Sequence, residues 1–304
     1  MLHRLGIWGD TEGDRARAIL AALESWENLQ VVLLEEGESD PDEETTVLFR
    51  QRTLIVQNAD NYALDELQAL VVLRGDCQEI LPRLSQGQPV LVPEGGARWV
   101  HPQVYELIAP EVDLAARVLR PMLAMGLKAV QLVSLEPVSM RGNQAVSGLV
   151  REVVDMLNGR GKQHETFPLQ MAFNHWPLLA EEIQKSLDAL RQCLDSQALQ
   201  LDWIRLQVPV FYGLVQYLHL SFATAVSPAM LKDLLLHAGY NLDEVPGGPV
   251  EMLAREDEQE PNIHADIQAG ATENTLCLRV NVDNLRFSIA KNLVEVLQKL
   301  EKAL

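Results

Sequence analysis

Short apolar runs separated by turn residues, together with one amphipathic stretch, make up the first third of the chain. The runs predict five strands, at Leu2–Trp8, Val31–Leu34, Thr53–Gln57, Ala69–Leu73 and Val90–Val92. Between the first two strands, apolar residues recur at helical spacing and predict a helix over Arg15–Leu23. A strand, a helix and a second buried strand form a βαβ unit, so this part predicts a parallel α/β domain.

The rest of the chain has longer amphipathic patterns that predict a second domain of mixed α and β structure. Helices are predicted at Pro110–Met122, Gln144–Leu157, Glu181–Leu194, Pro228–Ala238 and Phe287–Leu304. Strands are predicted at Ala129–Leu135, Trp203–Val210, Tyr217–Ala223 and Thr275–Val282. The stretch Asn241–Asn262 is rich in proline, glycine and acidic residues, which predicts a loop.

The composition is typical of a globular protein and narrows the classes of partner. The chain has 304 residues, of which 47% are hydrophobic and 22% charged, and its net charge is −18. Phosphates repel such a chain, so neither nucleic acid nor an anionic membrane is expected as a partner. No apolar stretch reaches about 18 residues and the start of the chain is charged early, so no membrane span or signal peptide is predicted.

The cysteines indicate a reducing compartment. Cys77, Cys193 and Cys277 are the only three, and no two of them form a Cys-x-x-Cys pair. This sparse, odd number predicts a cytoplasmic protein without a disulfide framework or a metal site. For each cysteine, a small structural side chain is the favoured role.

The turn after the first strand is the candidate dinucleotide site. Gly9–Gly13 reads Gly-Asp-Thr-Glu-Gly, where a Rossmann phosphate site needs glycines at the N-terminus of a helix. Asp10, Glu12 and Asp14 add negative charge where a pyrophosphate would sit, which favours an acidic helix start without a nucleotide. The run Glu35–Glu44 holds seven acids in ten residues and predicts a solvated loop, or a surface for a basic partner.

Three motifs in the second half resemble one enzyme family. Residues 207–214, Gln-Val-Pro-Val-Phe-Tyr-Gly-Leu, resemble the strand that carries the catalytic histidine in aspartate-semialdehyde dehydrogenases. Residues 171–174, Met-Ala-Phe-Asn, and 282–286, Val-Asp-Asn-Leu-Arg, resemble two further motifs of that family. Gly142–Asn158 and Ala172–Asn174 are especially similar to its USG-1 branch. The resemblance is good over residues 105–304.

The resemblance implies a fold with two domains. The expected N-terminal domain, residues 1–121, is Rossmann-like with a degenerate nucleotide site, and the C-terminal helix 286–304 completes it. The expected second domain, residues 122–285, is an α/β domain like that of glyceraldehyde-3-phosphate dehydrogenase. In the family this domain forms the homodimer interface, so a homodimer through residues 122–285 is expected.

The positions that carry chemistry in the family hold other residues here. The family's cysteine position falls near Glu111, with no cysteine between Ala109 and Asp113, and its histidine position holds Leu214. Leucine has no proton to transfer. Gln207 replaces the arginine that binds the substrate carboxylate, and Arg205, on the same side of the strand, is a poor replacement.

Other family positions are matched in part. The substrate motif before a helix matches residues 134–142 by spacing, which places Glu136 at the family's glutamine, or residues 144–148 by letters. Glu182 and Lys185 resemble the family's substrate-binding pair and also have the spacing of a routine surface pair on a helix. The vestigial cofactor-binding positions are Gly9, Thr11, Gly13 and Asn284.

Two functions are consistent with these departures. The first is a catalytically inactive paralogue that acts as a dimeric scaffold or regulatory protein and binds no cofactor. The alternative is an NAD(P)-dependent oxidoreductase that acts on an aldehyde or acyl phosphate with altered site chemistry; NADP or NAD is then the expected cofactor. The first is favoured because nucleophile, base and carboxylate binder act as one unit in the family reaction.

Overall fold

The computed structural model describes residues 2–37, 45–75, 77–93, 101–160, 166–242 and 262–303. Contacts divide the chain into two compact units, Met1–Ala109 with Ile289–Leu304, and Pro110–Ser288. The sequence places the domain boundary after residue 121, whereas the contacts assign the helix that begins at Pro110 to the second unit. Within the described residues, no helix has the length and apolar character needed to cross a membrane.

The first unit is built on a seven-stranded sheet. Its strands are β1 (Arg4–Trp8), β2 (Gln30–Glu35), β3 (Thr46–Phe49), β4 (Arg52–Asn58), β5 (Ala69–Val72), β6 (Val90–Val92) and β7 (Val104–Glu106). The order is β3-β4-β2-β1-β5-β6-β7, and every neighbouring pair is parallel except β3 with β4. The central strands β1, β2 and β5 are almost wholly buried, as expected for parallel strands covered on both faces.

Two helices of this unit follow strands. They are α1 (Asp14–Leu23) and α2 (Cys77–Ile80). Helix α1 joins β1 to the parallel strand β2, so the predicted βαβ unit is present. Its buried residues have the predicted helical spacing: Ala16, Ile19, Leu20 and Leu23.

The second unit contains another seven-stranded sheet. Its strands are β8 (Leu127–Glu136), β9 (Trp176–Pro177), β10 (Gln200–Gln207), β11 (Leu214–Phe222), β12 (Asn241–Leu242), β13 (His264–Ala269) and β14 (Thr275–Val282). The order is β12-β13-β14-β11-β8-β10-β9, with β8 parallel to β10 and antiparallel to β11. The helices of this unit are α3 (Pro110–Leu123), α4 (Asn143–Leu157), α5 (Ala180–Leu194) and α6 (Pro228–His237).

Strict alternation along β10 separates the two faces of this sheet. Leu201, Trp203, Arg205 and Gln207 are buried, while the residues between them are exposed or half-buried. Helices α3 and α5 pack together, α3 against β8 and β11 and α5 against β10. The buried face of β10 therefore carries an arginine and a glutamine, which need polar partners in the interior.

The C-terminal segment begins differently from its prediction. A π-helical stretch, Asn284–Lys291, precedes the helix α7 (Asn292–Ala303), where the sequence predicts a single helix from Phe287. Helix α7 packs against α1 in the first unit. Asp283 Oδ1 accepts hydrogen bonds from the backbone N–H groups of Leu285 and Arg286, which starts the π-helical stretch.

The predicted strand Trp203–Val210 is wrong at its C-terminal end. Strand β10 stops at Gln207, residues 208–213 form bends, and β11 begins at Leu214. Pro209 has no N–H for a ladder, and Gly213 has a positive φ of 98°. The motif at 208–213 is thus a connection between two strands.

Five of the described strands were absent from the prediction: β3, β7, β9, β12 and β13. The first two lie at the edges of their sheet and are short, which gives periodicity little to detect. Of the predicted loops, residues 38–44 of the acidic run and residues 243–261 lie outside the described residues.

Candidate functional site

The glycine turn, Gly9–Gly13, connects β1 to α1 and brings three of the predicted cofactor-binding residues together. Gly9 has φ 76°, and a Cβ there would come within 2.3 Å of the Arg74 carbonyl oxygen. Packing against residue 74 therefore requires this glycine, whether or not a ligand binds. The turn closes with a hydrogen bond from Gly13 N to the Asp10 carbonyl oxygen at 3.0 Å.

A carboxylate of the chain occupies the donors of this turn. Glu35 Oε1 accepts hydrogen bonds from Thr11 N at 2.6 Å and from Thr11 Oγ1 at 3.0 Å, and Thr11 is fully buried. The neighbouring Glu36 accepts a hydrogen bond from Trp8 Nε1 at 3.0 Å. A pyrophosphate at such a turn needs the free backbone N–H that Glu35 already binds, so these residues do not fit a dinucleotide.

The second group of predicted site residues lies on the buried face of the second sheet. The Arg205 cluster consists of Arg205, Glu111, Glu136 and Ser186, from β10, α3, β8 and α5. Arg205 donates to both oxygens of Glu136, at 2.5 Å from Nε and 3.0 Å from Nη2. Its Nη2 also lies 2.9 Å from Glu111 Oε1, and its Nη1 donates to Ser186 Oγ at 2.6 Å.

All of these side chains are buried, and burial affects the pKa values of Glu136 and Arg205. The guanidinium is 9% exposed, and the Glu111 and Glu136 side chains are 5% and 4% exposed. Burial, followed by repulsion from Glu111, raises the pKa of Glu136 from 4.5 to about 7 against the opposing effect of Arg205. Burial lowers the pKa of Arg205, but the hydrogen bond to Glu136 and the attraction of Glu111 outweigh it, so the net shift is upward.

Neutral polar groups extend the cluster along the sheet. Ser134 Oγ accepts hydrogen bonds from Trp203 Nε1 at 2.8 Å and from Gln216 Nε2 at 3.2 Å. Gln216 Nε2 also donates to the Glu111 carbonyl oxygen at 2.7 Å. Within the described part of the chain, Gln216 Oε1 is buried and accepts no hydrogen bond.

Gln207 has both ends of its amide engaged. Its Oε1 accepts a hydrogen bond from Arg141 Nε at 2.7 Å, and its Nε2 donates to the Glu136 carbonyl oxygen at 2.8 Å. The structure therefore brings together two of the predicted substrate-site residues, Glu136 and Gln207. Both side chains are hydrogen-bonded within the chain, so a ligand carboxylate would have to compete for the same groups.

The positions predicted for a nucleophile and a base carry neither. Glu111 belongs to the Arg205 cluster, and its carboxylate is bound by Arg205 and by Ser186 Oγ at 3.1 Å. Leu214 opens β11, pairs with Val282 of β14 and is completely buried. A buried leucine at this place contributes packing and no proton transfer.

The predicted pair Glu182 and Lys185 is not a pair in the structure. Glu182 Oε2 accepts a hydrogen bond from Leu179 N at 3.1 Å and caps the start of α5. Its carbonyl oxygen lies 3.3 Å from Arg205 Nη1, and its negative charge contributes to raising the pKa of Arg205. Lys185 is exposed on the surface of the helix.

Asn284, predicted as a vestigial cofactor residue, holds a bend of the second unit. Its Oδ1 accepts a hydrogen bond from Gly213 N at 3.1 Å, and its Nδ2 donates to Ser139 Oγ at 3.1 Å. It is completely buried. Asn284 thus fixes the bend at 208–213 to the turn of 3-10 helix at Val138–Arg141.

The other face of the second sheet carries two rows of residues in register across five strands. One row runs Ile204, Val133, Tyr217, Arg279 and Asp266, and the next runs Asp202, Gln131, His219, Cys277 and Gln268. Residues of these rows line a cavity of about 550 Å³. Ile204 and Tyr217 are 55% and 42% exposed, so this face offers apolar surface among polar groups.

The pairing within the Arg205 cluster is what sequence reasoning missed. Ser186, Ser134 and Gln216 were not among the predicted site residues, and Arg205 was weighed only as a substitute for the family's arginine. The signal that could have found the cluster is the alternation along β10, since Arg205 lies on the same face as the apolar residues Leu201 and Trp203. Among the described residues, no three histidine, cysteine or acidic side chains are grouped as metal ligands would be.

Comparison with known families agrees with this geometry. A family model for the dimerisation domain of semialdehyde dehydrogenases matches residues 119–294. An aspartate-semialdehyde dehydrogenase of Legionella pneumophila is 26% identical over 194 residues, covering 59% of this chain and 55% of that protein. A USG-1 protein homolog of Azotobacter vinelandii is 28% identical over 229 residues, covering 67% of this chain and 66% of that protein.

Solved structures are similar over nearly the whole chain. Aspartate semialdehyde dehydrogenase II of Vibrio cholerae, complexed with ASA, gives a TM-score of 0.84 at 18% identity and covers 99% of each chain. A probable aspartate-semialdehyde dehydrogenase of Pseudomonas aeruginosa gives 0.82 at 20% identity, again over 99% of each chain. At this identity the likeness establishes the fold.

The predicted fold class, a Rossmann-like domain with an α/β domain like that of glyceraldehyde-3-phosphate dehydrogenase, is confirmed by the two sheets and these structural relatives. The family model spans more than half of the chain. The predicted resemblance to aspartate-semialdehyde dehydrogenases and their USG-1 branch is confirmed as well. The chain belongs to the family defined by the semialdehyde dehydrogenase dimerisation domain.

Proposed function

We propose that this chain is a non-catalytic member of the family that acts in the cytoplasm as a dimeric scaffold or regulatory protein. The observation that carries the proposal is the state of Glu111, which lies near the family's cysteine position. Its carboxylate is buried and bound by Arg205, and the histidine position holds the buried Leu214. A reaction that needs a thiolate and a base has neither at these places.

The substrate positions support the same proposal. Arg205 is the arginine nearest to Gln207 along β10, and its donors are bound by Glu136, Glu111 and Ser186. A substrate carboxylate would have to displace two buried carboxylates of the chain from this guanidinium. That exchange would not increase the number of opposite charges in contact. The contacts of Arg205 with Glu136 and Glu111 are therefore favoured over contacts with a substrate.

The glycine turn supports the absence of a dinucleotide. Thr11 N is bound by Glu35, and replacing that carboxylate with a pyrophosphate would leave the half-buried Glu35 beside a second anion. The exposed Glu12 adds further negative charge on the same turn. The residues of this chain therefore favour a protein that binds neither NADP nor NAD.

An activity assay tests the central claim. Purified protein is incubated with aspartate semialdehyde, phosphate and NADP, and NADPH formation is followed by absorbance. The expected rate is that of the blank without protein. A rate above the blank that thiol alkylation abolishes would overturn the proposal.

The same assay also tests the oxidoreductase alternative, because the two described thiols, Cys193 and Cys277, have different surroundings. Burial raises the pKa of the Cys193 thiol against the opposing effect of Arg120, which disfavours the reactive thiolate. Cys277 lies directly opposite His219 on the open face of the second sheet. If turnover occurs, its loss in Cys277→Ser but not in Cys193→Ser would assign it to that pair.

Nucleotide binding is tested separately by thermal shift. Stabilisation by a ligand rises with the logarithm of its concentration over its dissociation constant. Titration with NADP and with NAD is expected to leave the melting temperature unchanged. A concentration-dependent rise with either nucleotide would favour the oxidoreductase alternative even if no turnover is seen.

The homodimer is proposed to form through the open face of the second sheet. The family model that covers this unit is that of a dimerisation domain, and this face exposes Ile204 and Tyr217. Replacing both by glutamate is expected to convert a dimer to a monomer in analytical ultracentrifugation, since two buried charges would face the partner. Leu48→Glu, on the exposed strand β3, is the matched control and is expected to stay dimeric.

A further inference from the structure

The Arg205 cluster holds more negative than positive charge. Two carboxylates, Glu111 and Glu136, face one guanidinium, so their formal sum is −1 when both are ionised. Glu136 uses both oxygens on Arg205, at 2.5 and 3.0 Å. Glu111 uses Oε1 alone, toward Arg205 and Ser186. An excess charge in such a buried place is costly, and binding a proton removes it.

Among the described residues, Arg141 is the one further cation that lowers the pKa of Glu136, and its effect is the smallest of those acting on that group. Arg141, from the turn after β8, donates to Gln207 and is largely exposed, so water screens its charge. On α3, Arg117 pairs with Asp113 at 2.9 Å. On α5, Glu182 contributes a further negative charge near the cluster. The charged groups that face the pair from the packed elements therefore leave it negative.

We propose that Glu136, buried with Glu111 on a single guanidinium, holds a proton below neutral pH, and that losing it weakens the packing of α3 and α5 on the sheet. Glu111 begins α3, Ser186 and the Glu182 carbonyl oxygen belong to α5, and Arg205 joins both to β10. When the proton leaves, the second charge is buried without its own cation, and the three elements separate more readily. The cluster is thus a pH-sensitive clamp inside the second unit.

Hydrogen exchange measured by mass spectrometry tests the clamp locally. In the wild-type protein, protection of α3 and α5 amides, corrected for base-catalysed exchange, is expected to fall about tenfold or more as pH rises through about 7. Glu136→Gln has no proton to release and Glu111→Gln removes the excess negative charge, so each is expected to abolish this fall. Glu181→Gln, at the exposed start of α5, is the matched control and is expected to retain it.

Infrared spectroscopy of the wild type decides the case even if a variant fails to fold. A carbonyl band of a buried protonated carboxyl group is expected at low pH and is expected to disappear as pH rises through about 7. Absence of that titrating band, or persistence of the pH-dependent fall in both glutamine variants, would overturn the proposal. Neither measurement depends on catalysis or on nucleotide binding.

Discussion

The glycine turn of the first unit and the Arg205 cluster of the second are both bound by glutamates of the chain, yet their electrostatics differ. At the turn, Glu35 meets the N–H and hydroxyl of Thr11, which are neutral dipoles. In the cluster, Glu111 and Glu136 meet a full positive charge on Arg205. The first is a local contact between the β1–α1 turn and the end of β2, whereas the cluster joins two helices to two strands.

This difference separates two roles that a glutamate of this chain has. A carboxylate on backbone donors stabilises one turn and prevents an anion from binding there. A carboxylate pair on a buried arginine is part of the core, and removal of one partner leaves uncompensated charge inside the protein. The second region should therefore dominate stability and the first should chiefly determine binding.

Arg205→Met should have the largest effect. The substitution keeps apolar volume but leaves Glu111 and Glu136 buried without a cation, and about 3–5 kcal/mol of unfolding free energy should be lost at pH of about 8. Urea unfolding measures this loss. Arg191→Met, which removes an exposed pair with Asp188, should cost less than about 0.5 kcal/mol. Equal losses in the two variants would contradict the buried role of Arg205.

Glu136→Gln should change the pH dependence of stability. Because the folded pKa of Glu136 lies above its ordinary 4.5, at about 7, the folded state holds the proton more tightly than the unfolded state. Stability from this group is thus fully present below pH of about 4.5 and lost as pH rises through about 7, a total of about 3 kcal/mol.

Urea unfolding between about pH 5 and about pH 8 measures that slope. The wild-type free energy of unfolding should decrease with pH relative to the glutamine variant, which has no proton to release. Stability that rises equally with pH in both proteins would show that Glu136 titrates as an ordinary exposed carboxyl group.

Glu35→Ala should have a smaller effect, confined to the turn. Loss of the two hydrogen bonds to Thr11 should cost about 1–2 kcal/mol. Thr11→Val removes the hydroxyl partner, and a double-mutant cycle between the two sites should give a coupling of about 0.5–1 kcal/mol. Additive effects would indicate that the carboxylate and the hydroxyl do not interact.

Glu12→Gly should have the smallest effect. Its side chain is exposed, so the free energy of unfolding should change by less than about 0.5 kcal/mol. The glycine removes one negative charge from the turn, but Glu35 still binds Thr11 N, so a thermal shift with NADP should remain absent. Nucleotide binding gained by this single change would show that Glu12, and not Glu35, closes the site.

Periodicity in the sequence predicted most of the elements because the buried faces are regular. The helices at 14–23, 180–194 and 228–237 and the strands at 69–72 and 90–92 follow their apolar spacing closely. Short edge strands such as Thr46–Phe49 and Val104–Glu106 were not predicted, because three or four residues are too few to show an alternation of apolar and polar positions. The strand expected through Val210 ends at Gln207, because Pro209 and the positive φ of Gly213 interrupt the ladder.

The sequence alone shows which side chain stands at each position that carries chemistry in the family. Position 214 holds a leucine, which has no proton to transfer, position 207 holds a glutamine, and no cysteine lies between residues 109 and 113. What only the tertiary structure decided is how the remaining polar residues pair. Glu35 lies on Thr11, and Arg205 binds Glu111 and Glu136, because strands and helices distant in sequence are brought within hydrogen-bonding distance. Local patterns specify which face a residue occupies, whereas long-range packing determines the charge it meets.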